Sequence, residues 1–318
     1  MSQPLVIALP SKGRLKEQTE AWLADCGLPV VASGGERGYS ARLGGLADVE
    51  VRLVSAAEIA GALFSGEVHL GVTGEDLLRE LSDAFETRIA LIQALGFGRA
   101  DLVVAAPRSW IDVTTMADVD EVAHLYLART GRRLRVATKY LTQTRAFFAR
   151  HGIIDYRIVE SGGATEGAPA AGAAELITDI TTTGATLAAN GLKVLADGLI
   201  LSSQAQLAAS LAADWREGRL DVARQLARIL EARARAKRSA NLAWPAQMDA
   251  AAQAAVARIE GAGARPHGVL VDEAKLFDAA AKLAEAGVGP VVVTHPTYVF
   301  EPLSQPIERL AGRLDGSN

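Results

Sequence analysis

The segment from Leu176 to Gly191 holds the residues best suited to chemistry, because an apolar strand leads to a carboxylate and then to a turn rich in hydroxyls and glycine. We predict a strand over 175–180 and the first turn of a helix over 186–190. The free backbone N–H groups and the positive dipole end of such a helix can bind an anion. Gly184 would let the backbone approach it closely. The order of residues therefore predicts a phosphate-binding turn.

The side chains of this turn favour a phosphorylated ribose as the ligand. Threonine hydroxyls can donate to phosphate oxygens, whereas Asp179 is an acceptor when ionised and suits sugar hydroxyls better. A Walker-type loop and a dinucleotide fingerprint both match poorly, since neither Gly-Lys-Ser/Thr nor Gly-x-Gly-x-x-Gly is present here. An ordinary helix N-cap after a buried strand is the alternative. The threonines are Thr181, Thr182, Thr183 and Thr186.

A second candidate site follows the first predicted strand, in Pro10-Ser-Lys-Gly-Arg14. Lys12 and Arg14 precede a helix that we predict to start near Leu15. Cations and free backbone amides at a helix N-terminus would together bind a pyrophosphate. The motif is short, and a solvated loop is the alternative.

Two more turns repeat this arrangement at the ends of predicted strands. Gly71-Val-Thr-Gly-Glu-Asp76 puts Thr73 and Gly74 at a strand-to-helix turn, and Thr138-Lys-Tyr140 does the same further along the chain. Simple helix capping, by Asp76 among others, is the alternative to ligand binding in the first of these turns.

The composition limits the classes of protein to consider. With 318 residues, 49% hydrophobic and 22% charged, the chain is an ordinary soluble protein of two or three domains. Its net charge of -4 and its pI of 5.8 give no reason to expect nucleic acid, so local donors must bind anions.

The single cysteine, Cys26, excludes an internal disulfide framework and fits a reducing compartment. Met1-Ser-Gln-Pro leads directly into a strand, and no apolar run approaches the ~20 residues of a membrane span. We therefore expect a cytoplasmic protein without a signal peptide or a membrane partner.

Short apolar runs alternate with helical patterns along the chain, which predicts an α/β fold with parallel strands and crossover helices. We expect one catalytic lobe from residues 1–106 plus 173–238 and a second from 107–172. In this arrangement the strand before the phosphate-binding turn returns to the first sheet. Residues 239–318 form a C-terminal domain. Ligands of open α/β sheets bind at the carboxyl ends of the strands, so the site should lie in a cleft between the lobes.

Six motifs make the chain resemble the ATP phosphoribosyltransferase family over about residues 5–235. Their order and comparable spacing are far more specific than any one motif, although the serine in the first lengthens its loop. The motifs are Pro10-Ser-Lys-Gly-Arg14, Gly71-Val-Thr-Gly-Glu-Asp76, Leu95-Gly-Phe-Gly98, Ala137-Thr-Lys-Tyr140, Ser161-Gly-Gly-Ala-Thr-Glu-Gly-Ala-Pro169 and the stretch from Asp179 to Leu192.

The resemblance implies a reaction, a fold and a set of partners. N1 of the adenine of ATP displaces pyrophosphate from phosphoribosyl pyrophosphate, with Mg²⁺ as the cofactor, in the first step of histidine biosynthesis. The metal is held mainly by substrate oxygens and water, without dedicated protein ligands. The catalytic part has two lobes like those of periplasmic binding proteins. L-histidine is a candidate inhibitor, a homo-oligomer (dimer or hexamer) is expected, and a separate regulatory subunit is an option.

The resemblance also implies site residues, with Asp179, Lys12 and Arg14 as the catalytic candidates. Phosphoribosyl pyrophosphate is expected at Asp179, Thr182, Thr183, Gly184, Ala185 and Thr186. The region of ATP or pyrophosphate is expected at Lys12, Gly13, Arg14, Thr73, Gly74, Asp76, Lys139 and Glu166.

Long members of the family carry a C-terminal ferredoxin-like βαββαβ domain that binds histidine, and this chain has the long length. Its tail departs from that pattern, because one strand looks shortened or lost and an extra helix is predicted over 303–314. We predict strands over 267–271 and 290–294, separated by a helix over 273–286 and preceded by the break Gly261-Ala-Gly-Ala-Arg-Pro266. An incomplete sheet would leave an unpaired edge, so we favour oligomer contact over a histidine site.

Two other classes of function stay open on the sequence. A two-lobed binding protein or effector domain without catalysis could share the cleft. Another phosphoribosyltransferase could share the substrate, although those enzymes normally carry paired acids before the loop, where this chain has Thr178-Asp179.

Overall fold

The structure is a computed structural model that describes residues 3–32, 40–245, 249–259, 261–265 and 268–315. These residues form three sheets flanked by helices. The first sheet contains β1 (Leu5–Pro10), β2 (Val30–Ala32), β3 (Ser40–Leu43), β4 (Leu46–Val54), β5 (Leu70–Gly74), β6 (Ile89–Ala94) and β12 (Ala205–Ser210). The second contains β7 (Ala100–Pro107), β8 (Leu134–Thr138), β9 (Tyr156–Glu160), β10 (Leu176–Thr181) and β11 (Leu192–Ser203). The third contains β13 (Ser239–Ala243), β14 (Gly263–Arg265), β15 (Gly268–Asp272) and β16 (Val292–Thr294).

The α-helices are α1 (Gly13–Asp25), α2 (Ala56–Ser65), α3 (Glu75–Leu81), α4 (Met116–Thr130), α5 (Leu141–Arg150), α6 (Ala185–Ala189), α7 (Arg219–Ala236), α8 (Ala250–Ala257), α9 (Leu276–Glu285) and α10 (Gln305–Asp315). Short 3₁₀ turns occupy Phe85–Thr87, Thr165–Gly167 and Glu273–Lys275. No helix within the described ranges has both the length and the apolar character needed to cross a membrane.

Lobe 1 is built on the seven-stranded sheet, in the order β2-β3-β4-β1-β5-β12-β6. Every residue of β1 is buried, and this strand pairs in parallel with β4 and β5. A strand that is apolar on both faces belongs in the centre of a sheet covered by helices on both sides. Leu9 packs with Leu226 of α7 in one core, and Ala8 packs with Leu63 of α2 in another.

Lobe 2 is built on the five-stranded sheet, in the order β11-β7-β10-β8-β9. The expectation that the strand before the phosphate-binding turn returns to the first sheet is wrong. β10 lies between β7 and β8, where Ile177 pairs with Ala105 on one side and with Ala137 on the other. The small buried side chains of these neighbours let the strands share one core. Lobe 2 therefore comprises residues 100–203, and the predicted boundaries at 106/107 and 172/173 are wrong.

The chain crosses between the lobes twice. It leaves the first sheet after β6 through residues 95–99, and it returns at Gln204, which alone separates β11 from β12. The α/β class and the two-lobed arrangement of the catalytic part are confirmed.

The C-terminal domain has the complete βαββαβ order, from β13 through α8, β14, β15 and α9 to β16. Its antiparallel sheet runs β14-β15-β13-β16, which is the ferredoxin-like arrangement. The strand that looked lost is present and short, because β14 has three residues inside the Gly- and Ala-rich break. His267, at the start of a predicted strand, lies outside the described residues.

The extra helix at the end of the chain, α10, packs on lobe 1 and not on the C-terminal domain. Ile307 and Leu310 are each 1% exposed within the lobe 1 core. Glu308 forms an ion pair with Arg224 of α7, at 3.0 Å. The last helix therefore completes the hydrophobic core of the first lobe, although more than ninety residues of sequence separate it from β12.

We predict that Leu310→Ala destabilises the catalytic part by about 2–5 kcal/mol, because it opens a cavity in a buried core. The midpoint of urea unfolding, followed by tryptophan fluorescence, measures this loss. Leu303→Ala is the matched control, since Leu303 is 55% exposed just before the same helix and its truncation should cost little. Equal losses in the two variants would contradict the packing of α10. Deletion of the chain from Asn241 would remove α10 together with the C-terminal domain and would expose the apolar core of lobe 1. Such a truncation therefore does not measure the role of the C-terminal domain alone.

Candidate active site

A cavity of about 490 Å³ lies between the lobes where β10 ends. Arg14 lines it from lobe 1, at the start of α1. Lobe 2 supplies two carboxylates, Asp179 and Glu166, together with the predicted phosphate-binding turn. The lining residues of that turn include Thr181, Thr182, Thr183, Ala185 and Thr186. The sequence prediction that the turn and the first basic loop share one cleft therefore agrees with the structure for Arg14.

Hydrogen bonds within the turn fix its backbone. The Oγ1 atom of Thr181 accepts from the N–H of Gly184 at 2.9 Å, and Thr183 Oγ1 accepts from the N–H of Ala185 at 3.4 Å. Gly184 has a φ of +74°, a left-handed conformation that glycine adopts without strain. Thr182 and Thr186 stay exposed, so their hydroxyl groups are accessible to a ligand. The backbone is thus preformed while part of its donor set faces the cavity.

The helix predicted after the turn is present and short. α6 has five residues, Ala185–Ala189, and its first turn begins one residue before Thr186. A helix of this length has a small macrodipole. The hydroxyl groups of the turn and Arg14 are therefore the stronger partners for an anion, and the predicted dipole contributes little.

Asp179 is the most perturbed acid of the cavity. Burial raises its pKa above the usual value, and the nearby carboxylate of Glu166 raises it further. The hydrogen bond from the N–H of Ile180, at 2.9 Å, and the charge of Lys139 act in the opposite direction. The ionised form of Asp179 is thus costly in the free protein, and a ligand that donates hydrogen bonds to it would relieve that cost.

Lys12 is not part of the cavity lining, although Arg14 is. Lys12 stands at the N-cap position of α1 without a side-chain cap hydrogen bond, and it is exposed. Its charge acts on Glu58 at the start of α2, where it helps the hydrogen bonds from Ser55 to lower the pKa of that carboxyl. Gly13 between the two basic residues has a φ of +74° and bends the loop.

Thr73 and Asp76, predicted in the region of ATP or pyrophosphate, are not among the residues that line the cavity. Thr73 is fully buried and donates to the carbonyl oxygen of Ala56 at 2.7 Å. Asp76 is 7% exposed, and its carboxylate accepts from Tyr140 Oη and Ser203 Oγ, each at 2.8 Å. Tyr140 and Ser203 of lobe 2 therefore cover the Asp76 end of this turn.

Gly74 is absent from the cavity lining as well, and the close approach of Asp76 leaves no room for a side chain there. A Cβ atom on Gly74 would lie 2.3 Å from Asp76 Oδ1. Glycine at this position therefore lets the Asp76 carboxylate fold back over the start of α3, toward lobe 2.

Lys139 is exposed, and its Nζ lies 5.6 Å from the centre of the Tyr140 ring. It does not line the cavity, but its charge reaches Asp179. Sequence reasoning gave Tyr140 no role beyond its place in the motif and missed Ser203 altogether. Tyr140 lies within the motif Ala137-Thr-Lys-Tyr140. The sequence around Ser203 contains no such motif, because its contact with Asp76 depends on where the chain crosses between the lobes.

Asp179 and Glu166 are the only acidic side chains among the residues that line this cavity. Across the described ranges, His, Cys, Asp and Glu nowhere gather in groups of three or more that could hold a metal ion. Asp179 and Glu166 can together supply hard oxygen ligands, which suit Mg²⁺. Such a pair fits a metal that takes most of its ligands from phosphate and water.

Comparison with known proteins agrees with these features. A family model described as ATP phosphoribosyltransferase matches residues 55–232. The ATP phosphoribosyltransferase of Caulobacter vibrioides is 65% identical over 316 residues, which cover 99% of each chain. The chain belongs to the ATP phosphoribosyltransferase family. It is therefore an enzyme, a transferase of histidine biosynthesis, and not a binding protein without catalysis or a phosphoribosyltransferase of another family.

Other relatives support the same assignment. The ATP phosphoribosyltransferase of Rhodopseudomonas palustris (strain BisA53) is 60% identical over 236 residues, or 74% of this chain and 73% of its own. Among solved structures, a chain of the ATP phosphoribosyl transferase (HisG:HisZ) complex from Thermotoga maritima is similar with a TM-score of 0.55 and 25% identity. That match covers 71% of this chain and 96% of the Thermotoga chain.

We predict that Asp179→Asn weakens binding of phosphoribosyl pyrophosphate by about tenfold or more, the effect of losing a hydrogen bond to a charged group. The same change should leave the melting temperature at pH 7 equal or higher, because the ionised carboxylate is costly in the folded state and the amide is neutral. Calorimetric titration and thermal unfolding measure the two effects. Asp112→Asn, an exposed acid of the same lobe, is the control. Normal binding in the Asp179 variant would refute the assignment.

The raised pKa of Asp179 also predicts a pH dependence. As the pH falls through that pKa, which lies above 3.8, the carboxyl becomes protonated and loses acceptor capacity. Affinity for the sugar hydroxyls should then decline in the wild type, whereas Asp179→Asn should lack this acid limb. Affinities measured over a pH series separate the two proteins, and parallel profiles would show that another group titrates.

Proposed function

We propose that the cavity between the lobes is where the phosphoribosyl group passes from phosphoribosyl pyrophosphate to N1 of ATP, with release of pyrophosphate. The reaction is the first step of L-histidine biosynthesis, as family membership states. The observation that carries the assignment of the site is the shared lining: Asp179, Glu166 and the threonine turn face Arg14 across one cavity. Carboxylates, hydroxyls and one guanidinium match the parts of this substrate.

The substrate would lie with its 5-phosphate at the turn and its pyrophosphate toward Arg14. Exposed Thr182 and Thr186, with Thr183, would donate to the phosphate oxygens. Asp179 would accept from the ribose hydroxyls, because a carboxylate repels phosphate and attracts hydroxyl donors. Gly184 and Ala185 would bring the backbone close to the same phosphate, while their N–H groups donate to Thr181 and Thr183 within the turn.

Charge complementarity accounts for catalysis in this arrangement. The bond from C1 to the pyrophosphate oxygen breaks while the bond from C1 to N1 of adenine forms, so positive charge develops on the ribose and negative charge on the leaving group. Asp179 and Glu166 stabilise the first and Arg14 stabilises the second. The two lobes supply positioning, which converts the encounter of ATP with the sugar into a reaction within one complex. No strong base is required.

Mg²⁺ is the proposed cofactor, and the two acids of the cavity lining, Asp179 and Glu166, support it, although the sequence predicts no dedicated protein ligand for the metal. These residues would hold the ion together with phosphate oxygens and water. Bound there, it would neutralise negative charge on the pyrophosphate. Lys12 and Lys139, both exposed at the edge of the cleft, are proposed to attract the polyphosphates of the substrates without lining the cavity.

The protein is proposed to act in the cytoplasm. Its C-terminal domain is proposed to take part in regulation and assembly. β16 lies at one edge of its sheet, with Val292 56% exposed and Val293 40% exposed. Apolar edge strands are commonly covered by another chain, so this edge supports a homo-oligomer, a dimer or a hexamer. L-histidine as the inhibitor, and a separate regulatory subunit like that of the Thermotoga complex, are the further proposals that the family suggests.

We predict that Arg14→Ala weakens pyrophosphate binding by about tenfold or more and ribose 5-phosphate binding much less. Lys12→Ala should have the smaller effect on pyrophosphate, because only Arg14 lines the cavity. Calorimetry with each ligand on both variants measures the differences. Equal losses for the two ligands would put Arg14 at the wrong end of the substrate, and a larger loss in Lys12→Ala would reverse the order of the two cations.

The reaction itself is tested by pyrophosphate release from phosphoribosyl pyrophosphate with ATP, compared with free purine and pyrimidine bases as acceptors. We expect release with ATP and not with the bases. Asp179→Asn is the control for contaminating activity, since its rate should fall with the loss of substrate binding. Release with a free base and none with ATP would contradict the proposed function.

A further inference from the structure

The carboxylate of Asp76 is buried between the two lobes and is not part of the cavity lining. It lies in the first turn of α3, which belongs to lobe 1. Tyr140, just before α5 of lobe 2, donates its hydroxyl to Oδ2 at 2.8 Å. Ser203, the last residue of β11, donates to Oδ1 at 2.8 Å and accepts from the N–H of Asp76 at 3.0 Å. One acidic side chain therefore joins lobe 1, lobe 2 and the second chain crossing.

A second set of bonds between the same helices strengthens this connection. Gln143 Nε2 donates to the carbonyl oxygen of Asp76 at 2.9 Å. Glu80 of α3 accepts from the N–H groups of Thr142 and Gln143 at 2.8 and 3.2 Å. Helix α5 has no side-chain cap of its own, so an acid of the other lobe satisfies its free N–H groups.

Asp76, Glu80, Tyr140, Gln143 and Ser203 thus form an interlobe strut. Tyr140 is 2% exposed and Asp76 7% exposed, and the burial together with the neighbouring Asp76 raises the pKa of the Tyr140 hydroxyl, which keeps it a hydrogen-bond donor. Parting the lobes would break these hydrogen bonds together, and a partial separation that does not admit water would leave the groups without partners, which is costly. The network therefore favours one angle between the lobes.

This angle matters because the cavity needs both lobes. Arg14 approaches from lobe 1, whereas Asp179, Glu166 and the turn belong to lobe 2. We propose that the interlobe strut holds the two halves of the active site at their working separation, so that Asp76 and Tyr140 act as positioning residues that do not touch the substrate.

Tyr140→Phe tests the strut, because it removes one hydrogen bond to Asp76 and keeps the ring. Tyr126→Phe is the matched control, since Tyr126 donates to Glu175 at 3.1 Å entirely within lobe 2. Labels on Asp48→Cys of lobe 1 and Leu125→Cys of lobe 2, both at exposed positions, report the distance between the lobes. Cys26 does not compete for label, because burial raises the pKa of its thiol to about 11.

We expect Tyr140→Phe to shift the distances to longer values in the free protein and to return them to the wild-type range with phosphoribosyl pyrophosphate and Mg²⁺. The loss of one hydrogen bond to a charged group changes the ratio of open to closed forms by about tenfold or more. KM for phosphoribosyl pyrophosphate should rise by up to that factor, because only the closed form binds well, while kcat at saturation stays near the wild-type value. Tyr126→Phe should change neither quantity.

Unchanged distances in Tyr140→Phe overturn the proposal, as does a raised KM without a change in distance or an equal response in Tyr126→Phe. If Tyr140→Phe does not fold, Glu80→Gln is judged by the same readouts. Its control is Asp118→Asn, which weakens the corresponding cap of α4 inside lobe 2. The KM measurement rests on the proposed function, whereas the distance measurement does not. A wild-type protein without transferase activity would contradict the proposed function, and the distances between the labels would still test the interlobe strut.

Discussion

A buried carboxylate between two lobes is the constraint on which the active site depends. A polar group removed from water costs free energy unless it is hydrogen bonded, so Asp76 requires Tyr140 and Ser203 to stay in place. Those donors belong to the other lobe and to the chain crossing. The hydrogen bonds to this one carboxylate therefore fix the relative orientation of two sheets that the chain joins at only two places. The separation of Arg14 from the phosphate-binding turn follows from this requirement.

The cavity holds charges that are costly in the free protein. Asp179 is desolvated and lies near Glu166, and both effects raise its pKa. A fold selected only for stability would separate or neutralise these acids. In the proposed reaction the two acids would act together when positive charge develops on the ribose, and Arg14 would act opposite them when pyrophosphate leaves. On this proposal, the electrostatic arrangement that is unfavourable in the free site would be favourable in the transition state.

The sequence was informative wherever local order decides the structure. The succession of Asp179, threonines, Gly184 and a helix appears in the structure, because strand ends and turns depend on neighbouring residues. It was misleading wherever contacts between distant segments decide. The sequence pattern of β10 is the same whether the strand joins one sheet or the other. The residues near Asp76 in sequence do not indicate that Tyr140 covers it in the fold. The short β14 was hard to recognise because three residues with two small side chains carry almost no periodicity.

The end of the chain shows how the C-terminal domain is coupled to the catalytic part. α7 leads into that domain, and the segment after it returns along the same helix, where the N–H of Val299 donates to Ala232 and Arg235 Nη1 donates to the carbonyl oxygen of Val299. Asp25 of α1 accepts from Arg233 at 2.7 Å, and this contact lowers its pKa to about 2, so the link persists over the physiological pH range. With α10 buried in lobe 1, both ends of the domain are attached to the lobe that carries Arg14. A displacement of the domain by a ligand or a second subunit would therefore act first on lobe 1, which is joined to lobe 2 by the two chain crossings and by the interlobe strut.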